Sequence, residues 1–256
     1  MTIEELAILE SNLIVKAERL ISSAEQKGLP LRLLGGLAVR ITSPHGSTHY
    51  LLRRSYADID LVGLSRDVRR IKDIFLEQGY VSDTRFNALH GETRLIFYDP
   101  ANDKHIDVFL DQFNMCHKID LRKRLLPGYK TLTLADLLVT KLQIVQLNTK
   151  DMMDIYALIL DHEVAVEENS ESIDGTYIAG LAGKNWGLFT TLSDNLHRVQ
   201  EEWAGFLEEA EASIVRDRAD RLLNWMEAAE KSMAWKIRAR IGRRMKWYDL
   251  PDEVAR

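Results

Sequence analysis

Asp58 and Asp60 stand two apart in an otherwise apolar stretch, Ala57-Asp58-Ile59-Asp60-Leu61-Val62. On a strand, residues two apart point to the same side. Ile59 and Leu61 would then fill a core while the two carboxylates share the opposite face. Carboxylates that close repel each other unless a cation lies between them. Magnesium suits such a pair, because it is held by few carboxylates together with substrate phosphates. Asp107 repeats the theme in Ile106-Asp107-Val108-Phe109. An acid inside a β-branched and aromatic run needs a partner there. If its strand lies beside the first, three carboxylates converge. Such a set can hold two metal ions about 4 Å apart and clamp a phosphoryl group during in-line displacement. The plainer reading is that these acids sit at strand ends and face water.

Gly35-Gly36 separates a short apolar run from a segment of helical character. Glycines there let the backbone approach a phosphate, and the following helix offers free N–H donors. No Gly-Lys-Ser/Thr follows, and no G-x-G-x-x-G exists in the chain, so neither a Walker A loop nor a dinucleotide fingerprint is present. Arg53 and Arg54 precede the D-x-D run and are either phosphate ligands or solvated loop cations. Ser55 either contacts a phosphate or starts the strand. Asp111 is a fourth acid near a strand end, where exposure is the expectation. His45 and His49 have metal-ligand spacing but lie in a Pro-Gly-rich segment without a third ligand, which excludes a zinc site. Cys116-His117 lacks the context of a thiol nucleophile.

These residues need elements to position them. Leu6, Leu9, Leu13, Ala17 and Leu20 recur at helical spacing within 2–27, and Gly28-Leu29-Pro30 stops that helix. Strands are expected over 31–34 and 57–62, with a helix over 37–41 and a loop over 42–54. A helix over 66–78 follows, with Val68, Ile71, Ile74 and Phe75 on one face. Strands are expected over 80–89, 93–98 and 105–110, with a turn at 99–103. After Pro127-Gly128 the character changes, and from Thr133 onward the periodicity is helical. Breaks fall near Asn148, at 168–170, at Asp174-Gly175 and at Gly183. Trp186 to Phe189 reads as a helix entrance. The organisation is a mixed-sheet core over 1–127 and a helical domain over 128–256.

The bulk numbers bound the function. At 46% hydrophobic and 29% charged residues the chain has the composition of a globular protein. No apolar run approaches the roughly 18 residues of a membrane span. The acidic start of the chain lacks a signal-peptide pattern, so a cytoplasmic location is expected. One cysteine rules out an internal disulfide and a cysteine-based zinc cluster. A net charge of −5 gives no global attraction to nucleic acid. Yet Lys236, Arg238, Arg240, Arg243, Arg244 and Lys246 cluster without an intervening acid. They form either a solvated helix face or a contact surface for nucleic-acid phosphates.

The order Gly35-Gly36, then Arg54-Ser55-Tyr56-Ala57-Asp58-Ile59-Asp60, then Ile106-Asp107-Val108 resembles the nucleotidyltransferase superfamily. Leu137-Leu138-Val139-Thr140-Lys141-Leu142, followed by Thr149-Lys150-Asp151-Met152-Met153-Asp154, resembles its AbiEii/MenT-type branch. The resemblance spans roughly 31–160. It implies an α+β fold: a nucleotidyltransferase-type mixed β-sheet core with flanking helices, followed by a mainly helical C-terminal region. It implies an NTP substrate with Mg2+ or Mn2+ held by Asp58, Asp60 and Asp107, and Gly35, Gly36, Arg54 and Ser55 on the nucleotide side. It gives Lys141 the triphosphate, and Asp151 the task of orienting that lysine or the acceptor. Asp154 would be a supporting acid. Toxins of this branch act on the 3′ end of tRNA and have an antitoxin as partner; other relatives modify small molecules. A nucleotide-binding regulator without turnover is the reading from a different class.

Overall fold

The computed structural model describes residues 3–101, 104–167 and 169–250. The expected turn at 99–103 and break at 168–170 fall partly outside them. The fold is α+β, a mixed sheet core followed by a mainly helical region. The chain divides into two compact units. The first comprises residues 1–41, 55–113 and 119–132, and the second 42–54, 114–118 and 133–256.

In the first unit, helix α1 (Ile3–Gln26) buries Leu13, Ala17, Leu20, Ile21 and Ala24 along one face. Gly28, at φ +67°, ends it. Strand β1 (Arg32–Leu34) runs directly into helix α2 (Gly35–Thr42). Strand β2 (Ile59–Gly63) follows, then helix α4 (Val68–Glu77), strands β3 (Val81–Ser82), β4 (Arg94–Asp99) and β5 (Lys104–Leu110). The five strands order as β1-β2-β5-β4-β3. Only β2 and β5 pair in parallel; the other neighbours are antiparallel. One face of the sheet carries Ile59, Leu61, Leu95, Phe97, Ile106 and Val108, all at most 1% exposed. Phe75 of α4 stacks on Phe97 with ring centroids 4.0 Å apart.

The strand expected over 80–89 is a strand only at Val81–Ser82. Helix α5 (Thr84–His90) replaces the rest. Cap chemistry defeats the apolar pattern: the Asp83 carboxylate accepts from the Phe86 N–H at 2.8 Å and from the Tyr98 hydroxyl at 2.8 Å. The backbone bond first, then the tyrosine, hold this carboxyl below its ordinary range. The Asn87 amide then pairs with both backbone groups of Ile96, at 2.7 and 2.9 Å, in place of a strand.

The second unit contains helices α3 (Pro44–Thr48), α6 (Leu134–Leu142), α7 (Thr149–Asp161), α8 (Gly175–Lys184), α9 (Trp186–Glu201), α10 (Glu209–Ala228) and α11 (Met233–Ile241). Thr133, Asn148, Asp174, Asn185 and Ser232 cap five of them through their side chains. The segment expected as loop over 42–54 contains α3, because Asp161 accepts from the N–H groups of His45 and Gly46 at 3.0 and 2.8 Å. Two short strands, β8 (Glu163–Ala165) and β9 (Ser172–Asp174), interrupt the expected helical run with a parallel pair. Strands β6 (Gln112–Asn114) and β7 (Lys118–Asp120) pair separately and escape the apolar pattern for lack of one. Among the described residues, no helix is long and apolar enough to cross a membrane.

Candidate active site

Parallel pairing of β2 and β5 makes Asp60 and Asp107 register partners. Antiparallel pairing of β1 and β2 makes Leu34 the partner of Asp60 on the other side. Gly35 therefore begins α2 beside the Asp60 side chain. Gly35 lies at φ +72°, and a Cβ there would sit 2.2 Å from Asp60 Oδ2. Both its backbone and its surroundings demand glycine. Asp58 lies one residue before β2 and is half-buried, as is Asp60; Asp107 is 5% exposed. Ser55 is exposed.

Asp107 has a partner that the sequence reading did not single out. Arg94 of β4 stands opposite Phe109, so its side chain is a diagonal neighbour of Asp107 on the same face. Its Nε and one terminal nitrogen both reach Asp107 Oδ1 at 2.8 Å. The guanidinium also lies over the Phe109 ring, 5.0 Å from its centroid. The available signal was an arginine at the head of the apolar run Leu95-Ile96-Phe97, where a cation needs a partner as an acid does.

The carboxylate oxygens on this face are hard donors that fit Mg2+ or Mn2+, and magnesium needs only one or two of them besides phosphates. Among the described residues, no group of three or more His, Cys, Asp or Glu side chains is arranged to hold a metal ion. Asp111 does not extend the set. It leaves the strand at φ +63°, and its carboxylate accepts from the Ser65 N–H and hydroxyl at 2.9 and 2.5 Å.

The remaining candidates gather in the second unit. Lys141, on the last turn of α6, donates to Asp151 Oδ1 at 3.1 Å and lies 2.8 Å from Asp154 Oδ2. Arg54 grips Asp154 with two hydrogen bonds of 2.8 Å. Asp154 is thus the hub of a four-membered cluster, a larger part than a supporting helix-face acid. Asp151 serves a second purpose as well, completing a capping box with Asn148 at the start of α7. Asn195 of α9 donates to the carbonyls of Leu142 and Ile144 and so fixes the end of α6 that presents Lys141. Burial pulls the Lys141 ammonium down, but attraction to Asp154 and then Asp151 outweighs it, and the net shift is upward.

His45 and His49 face acids separately, Asp161 and Glu211 at 3.4 and 3.3 Å. Cys116 is buried, and its sulfur accepts from the Val145 N–H at 3.4 Å. Trp186 opens α9, and the preceding break falls at Asn185.

No family model matches the chain, and no curated protein does. Several solved structures are similar to it, among them these three. One is the lincosamide antibiotic adenylyltransferase LnuA with lincomycin bound, at 14% identity and a TM-score of 0.39, covering 62% of this chain and 96% of that one. The second is the antibiotic-resistance factor ANT(2'')-Ia, at 12% identity and a TM-score of 0.39, covering 60% and 83%. The third is a nucleotidyltransferase-class protein from H. pylori, at 12% identity and a TM-score of 0.37, covering 91% and 100%. Likenesses this distant carry no argument about activity.

Proposed function

We propose that this chain is a nucleotidyltransferase that moves a nucleotide from an NTP to an acceptor hydroxyl, with Mg2+ or Mn2+ as its cofactor. The observation that supports this most is the register pair Asp60–Asp107 on parallel strands, with Gly35 packed against the Asp60 carboxylate at the start of a helix. When bound, the divalent cation would be held by Asp58, Asp60 and Asp107 and would neutralise charge on the triphosphate. The N–H groups of Gly35 and Gly36, in the first turn of α2, would donate to a phosphate. The exposed hydroxyl of Ser55 would do the same. In the reaction the acceptor oxygen bonds to the α-phosphorus, the bond to the bridging oxygen of the β-phosphate breaks, and pyrophosphate leaves. A carboxylate of the set takes the hydroxyl proton.

The finer reading is the AbiEii/MenT type, acting in the cytoplasm on an RNA or tRNA 3′ end, with an antitoxin as protein partner. It would give Lys141 the triphosphate and Asp151 the task of orienting it, a task that their 3.1 Å contact supports. Arg54 would steady the lysine through Asp154 or turn to the nucleotide. The basic stretch Lys236 to Lys246 favours RNA over a small-molecule acceptor.

The test is incubation with each α-labelled NTP, Mg2+ and total RNA, followed by gel analysis. Labelled RNA is expected from the parent chain. Asp58→Asn and Asp107→Asn should abolish labelling while leaving a cooperative melting transition. Undiminished labelling by both variants would sink the reading. Melting stabilised by NTP without pyrophosphate release would make the chain a nucleotide-binding regulator instead.

A further inference from the structure

A cavity of about 460 Å3 in the helical unit takes no part in the chemistry above. Its size is that of a small-ligand site. Lys118, Arg238 and Lys246 line it together with the rings of Trp247 and Tyr248; Asp249 is the one carboxylate in its lining among the described residues. The rings are held in place. Trp247 donates from Nε1 to Thr191 Oγ1 at 3.1 Å and meets Trp186 and Tyr248 edge-on. Arg243 lies over the same ring, 5.1 Å from its centroid, and is fixed by two hydrogen bonds to Asp194 at 2.9 and 2.6 Å. Lys246 lies 5.4 Å from the centroid of Tyr248. Arg238 donates to the carbonyls of Gly242 and Met245, and its guanidinium lies over the Trp186 ring, 4.6 Å from the centroid.

Charge is also segregated around the cavity. Seven cations and no acid occur from Lys231 through Tyr248, Lys231 included, in a chain of net charge −5. Lys236, Arg240 and Arg244 are exposed. A cavity that joins cations to fixed ring faces selects anions that carry flat rings, which is the chemistry of a nucleotide. The further exposed cations favour a polymer over a mononucleotide, because each phosphate neutralised releases counterions.

We propose that this cavity and the basic stretch around it bind single-stranded nucleic acid, with one base stacked on the Tyr248 ring and edge-on to Trp247, and the flanking phosphates on Lys118, Arg238 and Lys246. That the strand is an RNA acceptor rests on the nucleotidyl-transfer reading; the binding does not. The experiment uses the full chain without NTP. Fluorescence anisotropy follows a labelled 12-nucleotide oligoadenylate between 50 and 200 mM KCl. Three neutralised phosphates give a log–log salt slope of about −2, or about 20-fold weaker binding across that range. Lys118→Ala and Lys246→Ala should each make the slope shallower by about 0.7. Tyr248→Leu should weaken oligoadenylate about tenfold while leaving polyglutamate binding unchanged. Melting curves verify that each variant is folded.

Absence of saturable binding at 50 mM KCl overturns the proposal, as do unchanged slopes in both lysine variants. An equal loss of polyglutamate and oligoadenylate in Tyr248→Leu reduces the surface to a polyanion patch and also overturns it. So does displacement of the oligomer by AMP at matching nucleotide concentration, which would make the cavity a mononucleotide site. Oligoadenylate binding without RNA labelling leaves this inference standing while the transfer reading falls; labelling without such binding does the reverse.

Discussion

Asp154→Asn is the most revealing single change in the helical unit. The Asp154 side chain is 3% exposed, and those of Lys141 and Arg54 are 13% and 12% exposed. The substitution keeps the shape and removes the charge that both cations share. Lys141 is then left with Asp151, and Arg54 loses its two charge-assisted bonds to Asp154. Breaking a buried pair from one side costs about 3–5 kcal/mol, which for a chain of this size lowers the melting temperature by roughly 10 °C. The pH dependence carries a sharper signature. In the parent, the Lys141 pKa is raised above its ordinary value of 10.5. That contribution is fully present below pH 10.5 and is lost only as pH rises through the folded value. Burial is the largest single influence on Lys141, larger than the attraction of Asp151, and Arg54 works in the same direction as burial. Without Asp154 the ammonium should therefore fall below 10.5. A cation lowered on folding makes stability rise with pH, because the unfolded chain then binds more protons. Melting curves between pH 7 and 10 should rise in the variant and stay level in the parent, once other titrating groups are subtracted. Replacing Arg54 and Lys141 by Met together with Asp154→Leu should recover much of the loss, since no uncompensated cation remains. A variant that loses less than about 1 kcal/mol, or that keeps the parent's pH slope, would refute the cluster's role.

Three further outcomes follow from the geometry. Gly35→Ala should lose about 2 kcal/mol or more in urea denaturation, because it adds a clash with Asp60 to the roughly 1–2 kcal/mol of a left-handed backbone; Gly28→Ala, at φ +67° with open space around it, should lose only the backbone part. Equal losses would show that the Asp60 contact does not constrain residue 35. Burial pushes the His117 imidazole down to about 4, and its Nε2 lies 2.8 Å from Thr191 Oγ1. A lowered cationic group stabilises the fold above the unfolded value of 6.5, and about 3 kcal/mol should disappear as pH falls from 6.5 to about 4. His117→Gln should flatten that part of an acid-denaturation curve. Arg94→Met should lose about 1.5–3 kcal/mol by removing the charge-assisted bonds to the buried Asp107, and added Mg2+ should raise its melting temperature more than the parent's; an equal rise would separate Arg94 from the cation site.

What the sequence disclosed about this fold depends on how local each cause is. The alternation of Asp58, Ile59, Asp60 and Leu61 is a period-two signal within four residues, so the strand and its two faces were legible. Gly35-Gly36 after an apolar run was legible for the same reason, although its contact with Asp60 was not. The segment after Tyr80 misled because apolar spacing was weighed above Asp83, whose side chain caps a helix and so removes its backbone from the ladder. Helix α3 was hidden because its N-terminus is capped by Asp161, well over a hundred residues away. The prominence of Asp154 was invisible for a like reason: Arg54 lies a hundred residues upstream, and nothing near it announces the pairing. Motif resemblance reached Lys141 and Asp151, while Arg94 needed knowledge of which strand lies beside β5.

That last residue changes how the carboxylate face should be understood. Register forces Asp60 and Asp107 to be neighbours, and two such groups repel without a cation. Arg94 supplies one from the adjacent strand, fixed by its diagonal position and by the Phe109 ring beneath it. The sheet can therefore carry both acids while no metal is bound. A guanidinium is less strongly hydrated than an ammonium, and its planar fork suits a carboxylate or a phosphate equally well. Under the proposed nucleotidyl transfer, a nucleotide arriving with its own cation would lower the demand on Arg94 at Asp107, and the same fork would become available to a phosphate oxygen without leaving its strand. On that reading the carboxylates and the arginine would form one electrostatic unit whose balance shifts on substrate binding. Such a unit needs a strand-borne arginine, held in register beside the acids, rather than a mobile surface lysine.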